Sequence, residues 1–430
     1  MRGPIVTIDG PAGAGKTTTA KHLAKRLGLR LLDTGATYRA LALACLRAGA
    51  DPTREEEVLR VLEDVKISQR WRGAEAFTFL GEEDVSEAIR TPEVDRASSQ
   101  VAAHPRVRKR MVELQRKLGE GGRVVAEGRD AGTVIFPDAE VKLWLDASAE
   151  ERARRRWRQY RERGINVSYD KILREINERD KRDRERFSGA MRVPEGAIVL
   201  KTDGLSLRAQ LGKAENLAVK ALNLGHQAVH WTAGWFLSWP FWYGVYGMRV
   251  INRDKVPRLA CIITPNHFTM WDPPLVGAAA RRQLFYLARH DLFRPAWGWF
   301  LKLWGAVPLV KGAAAKGAFQ KALELLAKEK AVVVYPEGTR NKTSEPLLPF
   351  NLGPAMLAQL SGAPVIPVAS TKTPAPWRPL RWMLRRPRLT FVFGDALWPQ
   401  SFPPGRRGLV EMTKALREEM LKLLEVALGG

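Results

Sequence analysis

Short apolar runs that stop at polar or glycine-rich turns recur along this chain, and amphipathic stretches follow most of them. Ile5–Ile8 stop at Asp9. After a glycine-rich turn Ala20, Leu23, Ala24 and Leu27 return at helical spacing. Leu31–Leu32 stop at Asp33, with a helix expected from Ala40 to Ala48. Val124–Ala126 stop at Glu127, Val141–Leu145 stop at Asp146, and Ile198–Leu200 close the series before Asp203. Strand, polar turn and helix in alternation predict an α/β sheet. Residues about 57–100 break the rhythm. Val65–Ser68 and Ala76–Leu80 read as short strands, with a turn at Gly81–Asp84, which predicts a small β insert. Two basic helices are expected, over Val107–Leu118 and Glu150 to about Arg163, and a further charged helix over Tyr169–Arg186.

The pattern changes at about residue 223. From Ala228 to Met248 there is no formal charge apart from His230, and Trp and Tyr crowd a length that just suffices to cross a bilayer. Trp and Tyr favour the membrane interface, with the ring buried and the polar tip wet. The preferred expectation is a helical segment lying in or dipping into the membrane; a true span and an ordinary buried helix are the alternatives. A second α/β series follows. Strands are expected at Ala260–Thr264, Leu284–Ala288, within Gly305–Gly312, at Ala331–Tyr335 and at Val365–Val368. Helices are expected at Trp297–Trp304, Lys316–Glu329 and Leu409–Leu428.

Composition adds three points. A length of 430 residues suggests two or three domains. Two cysteines, Cys45 and Cys261, exclude a disulfide framework or a Cys-rich metal site and fit a reducing cytoplasm. With a strand expected within four residues of the N-terminus, no signal peptide is expected. The formal charge is +24, of which the part after residue 225 carries +15 along with 11 of the 14 tryptophans. Basic surface with many Trp points to an anionic membrane surface or to nucleic acid.

Gly10, four residues, then Gly15-Lys16-Thr17 form a P-loop pattern between an expected strand and helix. In such a loop (Gly10, Pro11, Ala12, Gly13, Ala14, Gly15, Lys16, Thr17, Thr18) backbone N–H groups close around phosphate oxygens. The helix N-terminus adds partial positive charge. Lys16 is placed to reach the transferred phosphate and Thr17 to ligand Mg²⁺. Thr34 and Arg39 stand at the next strand-to-helix turn, where a second substrate or a plain capping turn is expected. The arginine-rich helices, with Arg179, Asp183 and Arg186 on the second, read as a lid that folds over nucleotide phosphates.

Residues 1 to about 222 resemble bacterial cytidylate kinase over nearly its full length. The resemblance rests on GPAGAGKTT, LDTGATYR, AIRTPEV at Ala88–Val94, EGRDAGTVIFPDAEVKLWLDAS at Glu127–Ser148 and RDKRDRER at Arg179–Arg186. It implies a nucleoside-monophosphate-kinase domain, with the insert at about 57–100 and the lid at about 150–186, that transfers phosphate from ATP, with Mg²⁺, to CMP or dCMP. Lys16 and Arg129 are then catalytic. Thr34, Arg39, Arg108, Arg129, Asp130, Arg179, Asp183 and Arg186 hold the acceptor nucleotide. Ser188-Gly189-Ala190 departs from the family's Ser-Pro, beyond those arginines.

In the second half the expected strand over Ala260–Thr264 runs into Pro265-Asn266-His267, and Asp272 precedes Pro273-Pro274 as an expected N-cap. A carboxylate on one imidazole nitrogen fixes the tautomer and leaves the other as a general base. With Pro336-Glu337-Gly338-Thr339-Arg340 downstream, the order over roughly 225–400 resembles the 1-acylglycerol-3-phosphate acyltransferase family. The resemblance implies that His267, oriented by Asp272, deprotonates a glycerol hydroxyl that attacks the thioester of acyl-CoA or acyl-carrier protein. Lys311, Glu337, Gly338, Thr339 and Arg340 then hold the glycerol phosphate. Family members usually carry Arg where this chain has Lys311.

The expected whole is a fusion: kinase at 1–222, linker and aromatic segment at 223–250, and a second α/β domain, the acyltransferase, at 251–430. It would be cytoplasmic and peripherally bound to the inner face of the cell membrane. One alternative is an active kinase with a membrane-anchoring or differently specific acyltransferase domain. The other, a nucleic-acid-binding NTPase, lacks any recognisable nucleic-acid module.

Overall fold

In the computed structural model, the described residues are 2–162, 164–185, 191–224, 247–269, 272–289, 293, 305–309, 315–371 and 389–429. Their side chains are described too, except at 179, 182–185, 287–289, 308–309 and 315–316. The chain divides into two compact units, Arg2–Ala24 with Leu29–Asn223, and a second that contains Leu224–Gly430.

In the first unit, β1 (Ile5–Asp9) leads through the glycine-rich loop into α1 (Lys16–Leu27), and β2 (Arg30–Asp33) leads into α2 (Thr34–Arg47). α3 (Glu55–Asp64) precedes an antiparallel three-stranded sheet of β3 (Ile67–Arg72), β4 (Glu75–Leu80) and β5 (Glu83–Asp84). α4 (Pro92–Val101) and α5 (Pro105–Leu118) lead to β6 (Val124–Glu127) and β7 (Val141–Asp146). α6 (Ala149–Glu162), α7 (Tyr169–Glu185), β8 (Ile198–Lys201) and α8 (Leu207–Ala221) complete the unit. The main sheet is parallel, in the order β2-β6-β1-β7-β8. All five residues of β1 are buried, which explains an apolar run without alternation: its neighbours cover both faces. The insert is therefore only partly β. Its flanks are the helices α3 and α4. Glu55–Glu57 place acid at the positive end of α3, and Thr91 caps α4 by accepting from Val94 N.

The second unit carries a seven-stranded sheet in the order β12-β11-β13-β10-β14-β15-β9. The strands are β9 (Arg249–Ile251), β10 (Ile262–Pro265), β11 (Leu284–Arg289), β12 (Ala306–Leu309), β13 (Ala331–Val333), β14 (Val365–Ser370) and β15 (Thr390–Phe393). Only the β14–β15 pair is antiparallel. α9 (Asp272–Ala280) covers one face through Leu275, Val276 and Ala279. α10 (Ala315–Ala327), α11 (Gly353–Ser361) and α12 (Arg406–Gly429) cover the other. Met412, Leu416, Met420, Leu423 and Ala427 of α12 recur every three or four residues and form its buried stripe.

Several expected strands shift, and β3 spans Ile67–Arg72 rather than Val65–Ser68. β10 starts at Ile262 rather than Ala260, and β13 stops at Val333 rather than Tyr335, because the chain must turn there to bring Tyr335 beside His267. Most of the aromatic segment at 228–248, the expected helix at Trp297–Trp304, Lys311 and Arg186 lie outside the described residues. So do the side chains of Arg179 and Asp183. No described helix is long and apolar enough to cross a membrane.

Candidate active sites

Both sheets gather their polar residues at the carboxyl ends of neighbouring parallel strands, where open α/β sheets bind ligands. In the first, β2, β6 and β1 end side by side. Gly10 turns the chain out of β1 with φ +143, and a Cβ there would fall 2.2 Å from the Leu145 carbonyl oxygen. The loop returns at Lys16, the first residue of α1. Lys16 is buried, and its Nζ donates to Pro11 O at 2.9 Å, curling the ammonium over the loop's own backbone.

Asp9 ties this loop to the next strand end. Its carboxylate is buried and accepts from Ala131 N at 2.8 Å and Gly132 N at 2.7 Å. Burial pushes its pKa up to about 6. The segment it holds carries Arg129 and Asp130. Arg129 donates to Gly10 O at 3.4 Å, and Asp130 forms a buried ion pair with Arg108. Asp33 caps α2 by accepting from Ala36 N at 2.8 Å and takes Arg39 at 3.1 Å. The Thr34 hydroxyl donates to Glu127 O at 2.6 Å. The capping role at that turn thus falls to Asp33. Lys16, Thr17, Thr34, Arg39, Arg108 and Arg129 all line one cleft of about 300 Å³.

Glu127 projects into the same space. It is buried, and one oxygen, Oε2, has no hydrogen-bond partner among the described residues. Burial first, and then the Asp33 carboxylate, push its pKa up to about 7. Its side chain is hydrogen-bonded to that of Thr17. An unpartnered carboxylate oxygen beside a hydroxyl at a P-loop helix start is a donor set that fits Mg²⁺.

Sequence reasoning missed the braces under this site: Asp9, Glu127, Arg152, Asp180 and Gln210. Gln210 of α8 donates to Ala14 O at 3.3 Å and Thr19 Oγ1 at 2.9 Å, holding the loop from behind. None of these belongs to a local spacing pattern, although Asp9 and Glu127 each stand where an apolar run stops, and that was the available signal.

In the second sheet β13, β10 and β14 end together. His267 follows β10, and its Nδ1 lies 2.8 Å from Asp272 Oδ2. Asp272 is buried and is the first residue of α9. It turns back to accept from Phe268 N at 2.6 Å, Thr269 N at 2.8 Å and Thr269 Oγ1 at 3.0 Å. Phe268 and Thr269 thus wrap around the carboxylate, which lies against the imidazole. From β14, Ser370 N and Oγ donate to Asn266 Oδ1 at 2.8 and 3.0 Å, and Asn266 Nδ2 returns a bond to Ser370 O at 2.9 Å.

The segment after β13 grips the His267 backbone. Glu337 accepts His267 N at 3.0 Å on one oxygen and Leu348 N at 2.9 Å on the other, and Asn341 N donates to His267 O at 2.6 Å. Glu337 is buried, which raises its pKa, whereas Gly338, Thr339 and Arg340 are exposed. Glu337 thus accepts two backbone amides, while Arg340, with which it is expected to hold the phosphate, stands exposed.

Residues 6–217 match the cytidylate kinase family model, and residues 247–371 match the acyltransferase model. The cytidylate kinase of Mannheimia succiniciproducens is 44% identical over 225 residues, covering 52% of this chain and 97% of that protein. That of Vibrio cholerae is 47% identical over 204 residues, covering 47% and 91%. A solved structure similar to this chain is the 1-acyl-sn-glycerophosphate acyltransferase of Thermotoga maritima, at 19% identity and TM-score 0.35, covering 49% of this chain and 82% of that one. Over its first half the chain belongs to the cytidylate kinase family, and it carries an acyltransferase-family domain behind it.

Proposed function

We propose that the first unit transfers the γ-phosphoryl group of ATP to CMP or dCMP, giving CDP or dCDP. The second moves an acyl group from acyl-CoA or acyl-carrier protein to the hydroxyl of 1-acylglycerol-3-phosphate, giving phosphatidate. The observation that carries the first reading is the convergence of Lys16, Arg39, Arg108 and Arg129 on one cleft with the P-loop. The loop amides and Lys16 hold the donor phosphates. Arg39, Arg108 and Arg129 balance the charge of the acceptor phosphate and of the group in flight. Thr34 and Asp130 orient the acceptor, and Arg179, Asp183 and Arg186 close over it. Thr17 and Glu127 would hold Mg²⁺, which when bound neutralises charge on the phosphate oxygens.

The second reading rests on the His267–Asp272 pair. Asp272 accepts a hydrogen bond from Nδ1–H, so Nε2 carries the lone pair that takes the proton from the glycerol hydroxyl. The new alkoxide attacks the thioester carbonyl, a C–O bond forms, the C–S bond breaks, and the imidazolium returns its proton to the leaving thiolate. Arg340 and Lys311 hold the phosphate, and Glu337 keeps His267 in place. Residues 228–248 lie in the membrane interface on the cytoplasmic side, a reading supported by their Trp and Tyr content and by the +15 charge of the second half.

The test offers the protein CMP with ATP, and separately lysophosphatidate with radiolabelled acyl-CoA or acyl-carrier protein, comparing wild type with His267→Ala. CDP from both proteins and phosphatidate from wild type alone is the expected result. No phosphatidate with either donor would refute the second activity.

A further inference from the structure

The imidazole of His267 has a neighbour that the dyad does not account for. The Tyr335 ring lies parallel to it, with centroids 4.0 Å apart and planes 25° apart. Tyr335 stands two residues beyond the end of β13, just ahead of Pro336 and Glu337. Glu337, Asn341 and Asp272 fix the backbone and one ring nitrogen of His267, but a single hydrogen bond at Nδ1 leaves the ring able to swing about that bond. A flat face packed against it removes that freedom.

The Tyr335 hydroxyl behaves differently from its ring. It is buried with no hydrogen-bond partner among the described residues, as is the hydroxyl of Tyr286 on β11. Burial, and then the Asp272 carboxylate, hold the Tyr335 phenol neutral, well above its ordinary pKa. An unpartnered buried hydroxyl costs stability rather than adding it. What recommends this residue at this place is the ring.

We infer that Tyr335 is a positioning residue for acyl transfer: its ring stacks on His267 and holds the imidazole plane so that Nε2 faces the acceptor hydroxyl. This rests on the acyltransferase reading above. It separates the two parts of the side chain, which the experiment exploits. Tyr335→Phe keeps the stack and removes the orphan hydroxyl; Tyr335→Leu keeps apolar bulk and removes the flat face.

Two measurements are made on the full chain. One is the kcat and KM of acyl transfer to lysophosphatidate. The other is the ¹⁵N spectrum of the His267 ring, its signals identified by their loss in His267→Gln. Tyr335→Phe is expected to keep kcat within about twofold and to retain the wild-type ring signals. Tyr335→Leu is expected to lower kcat at least about tenfold with KM within about twofold, a loss in the range that misorientation of a reacting group produces. Its ring nitrogen shifts are expected to move towards the average of the two tautomers. Tyr335→Leu with unchanged kcat and unchanged ring signals overturns the inference, as does Tyr335→Phe matching Tyr335→Leu in both. If wild type forms no phosphatidate but the ring signals respond as stated, the positioning role stands and it is the acceptor assignment that fails.

Discussion

Asp180 of α7 grips Arg152 of α6 through both carboxylate oxygens, at 2.6 and 3.2 Å, and the same guanidinium reaches the carbonyl oxygen of Ala12 in the P-loop at 3.1 Å. Both side chains are buried. The pair therefore couples the second arginine-rich helix to the loop that receives the donor phosphates. Removing one partner of a buried pair leaves an uncompensated charge, which costs about 3–5 kcal/mol. Asp180→Ala is expected to lower the melting temperature of the kinase unit and to raise KM for ATP, because Arg152, which anchors Ala12, loses the carboxylate that fixes it. Calorimetry and initial rates with ATP varied check this. A variant that melts like wild type and keeps its KM would show that the pair carries neither load.

The kinase unit is expected to lose stability as pH rises. Asp9 and Glu127 titrate near 6 and 7 in the folded chain, raised from 3.8 and 4.5 chiefly by burial. A raised carboxylate pKa means that the folded state holds the proton that the unfolded chain has lost. The stability contribution is whole below about pH 4 and drains away as pH climbs through 6 to 7. Each group accounts for roughly 3 kcal/mol across that window. Glu127→Gln removes one of the two, so its stability should fall less than that of wild type between pH 4 and 8. Chemical denaturation across that range, without Mg²⁺ or nucleotide, checks the slope. A variant slope as steep as that of wild type would place the proton elsewhere.

Much of this was legible in the chain, and the part that was not has a common cause. β1, β2, β6 and β7 were visible because each ends at a polar residue after an apolar run, and Lys16, Arg39, Arg129, His267 and Asp272 stand at such ends. Local order marks such sites. The braces are long-range. Gln210 meets Ala14 across 196 positions, and Asn266 meets Ser370 across 104. No spacing rule connects such pairs. Arg152 was hidden differently, as one of many arginines on α6, where charge alone does not separate a buried brace from a phosphate-facing side chain. The insert was read as β because its alternating strands give a stronger signal than α3, whose single buried residue is Val58.

Asn266 is expected to be needed for the second site although it touches no reacting atom. It is 1% exposed and joins the end of β10 to the end of β14 through three hydrogen bonds with Ser370. Asn266→Ala leaves the Ser370 amide and carbonyl buried without partners, at about 1–3 kcal/mol each. The next residue is His267, so the displacement reaches the base directly. Phosphatidate formation should drop by at least about tenfold while CDP formation is unchanged. Equal loss of both activities would indicate general unfolding instead.

Glu337 and Arg340 are three residues apart in one motif, yet they stand in different surroundings and should fail in different ways. Glu337 takes two backbone amides, one from His267 itself, whereas Arg340 is exposed. Glu337→Gln turns an amide N–H₂ towards one of those N–H groups, a donor facing a donor, and the His267 loop must shift to relieve it. The reaction should slow with the acceptor still bound: kcat falls about tenfold and KM for lysophosphatidate stays within about twofold. Arg340→Ala should do the opposite, raising KM about tenfold or more through loss of a charge-assisted contact to phosphate, with kcat little changed. Steady-state kinetics with lysophosphatidate varied separates the two. If Glu337→Gln acts mainly on KM, Glu337 contacts the acceptor after all, and the role of holding His267 passes to Asn341 and Asp272.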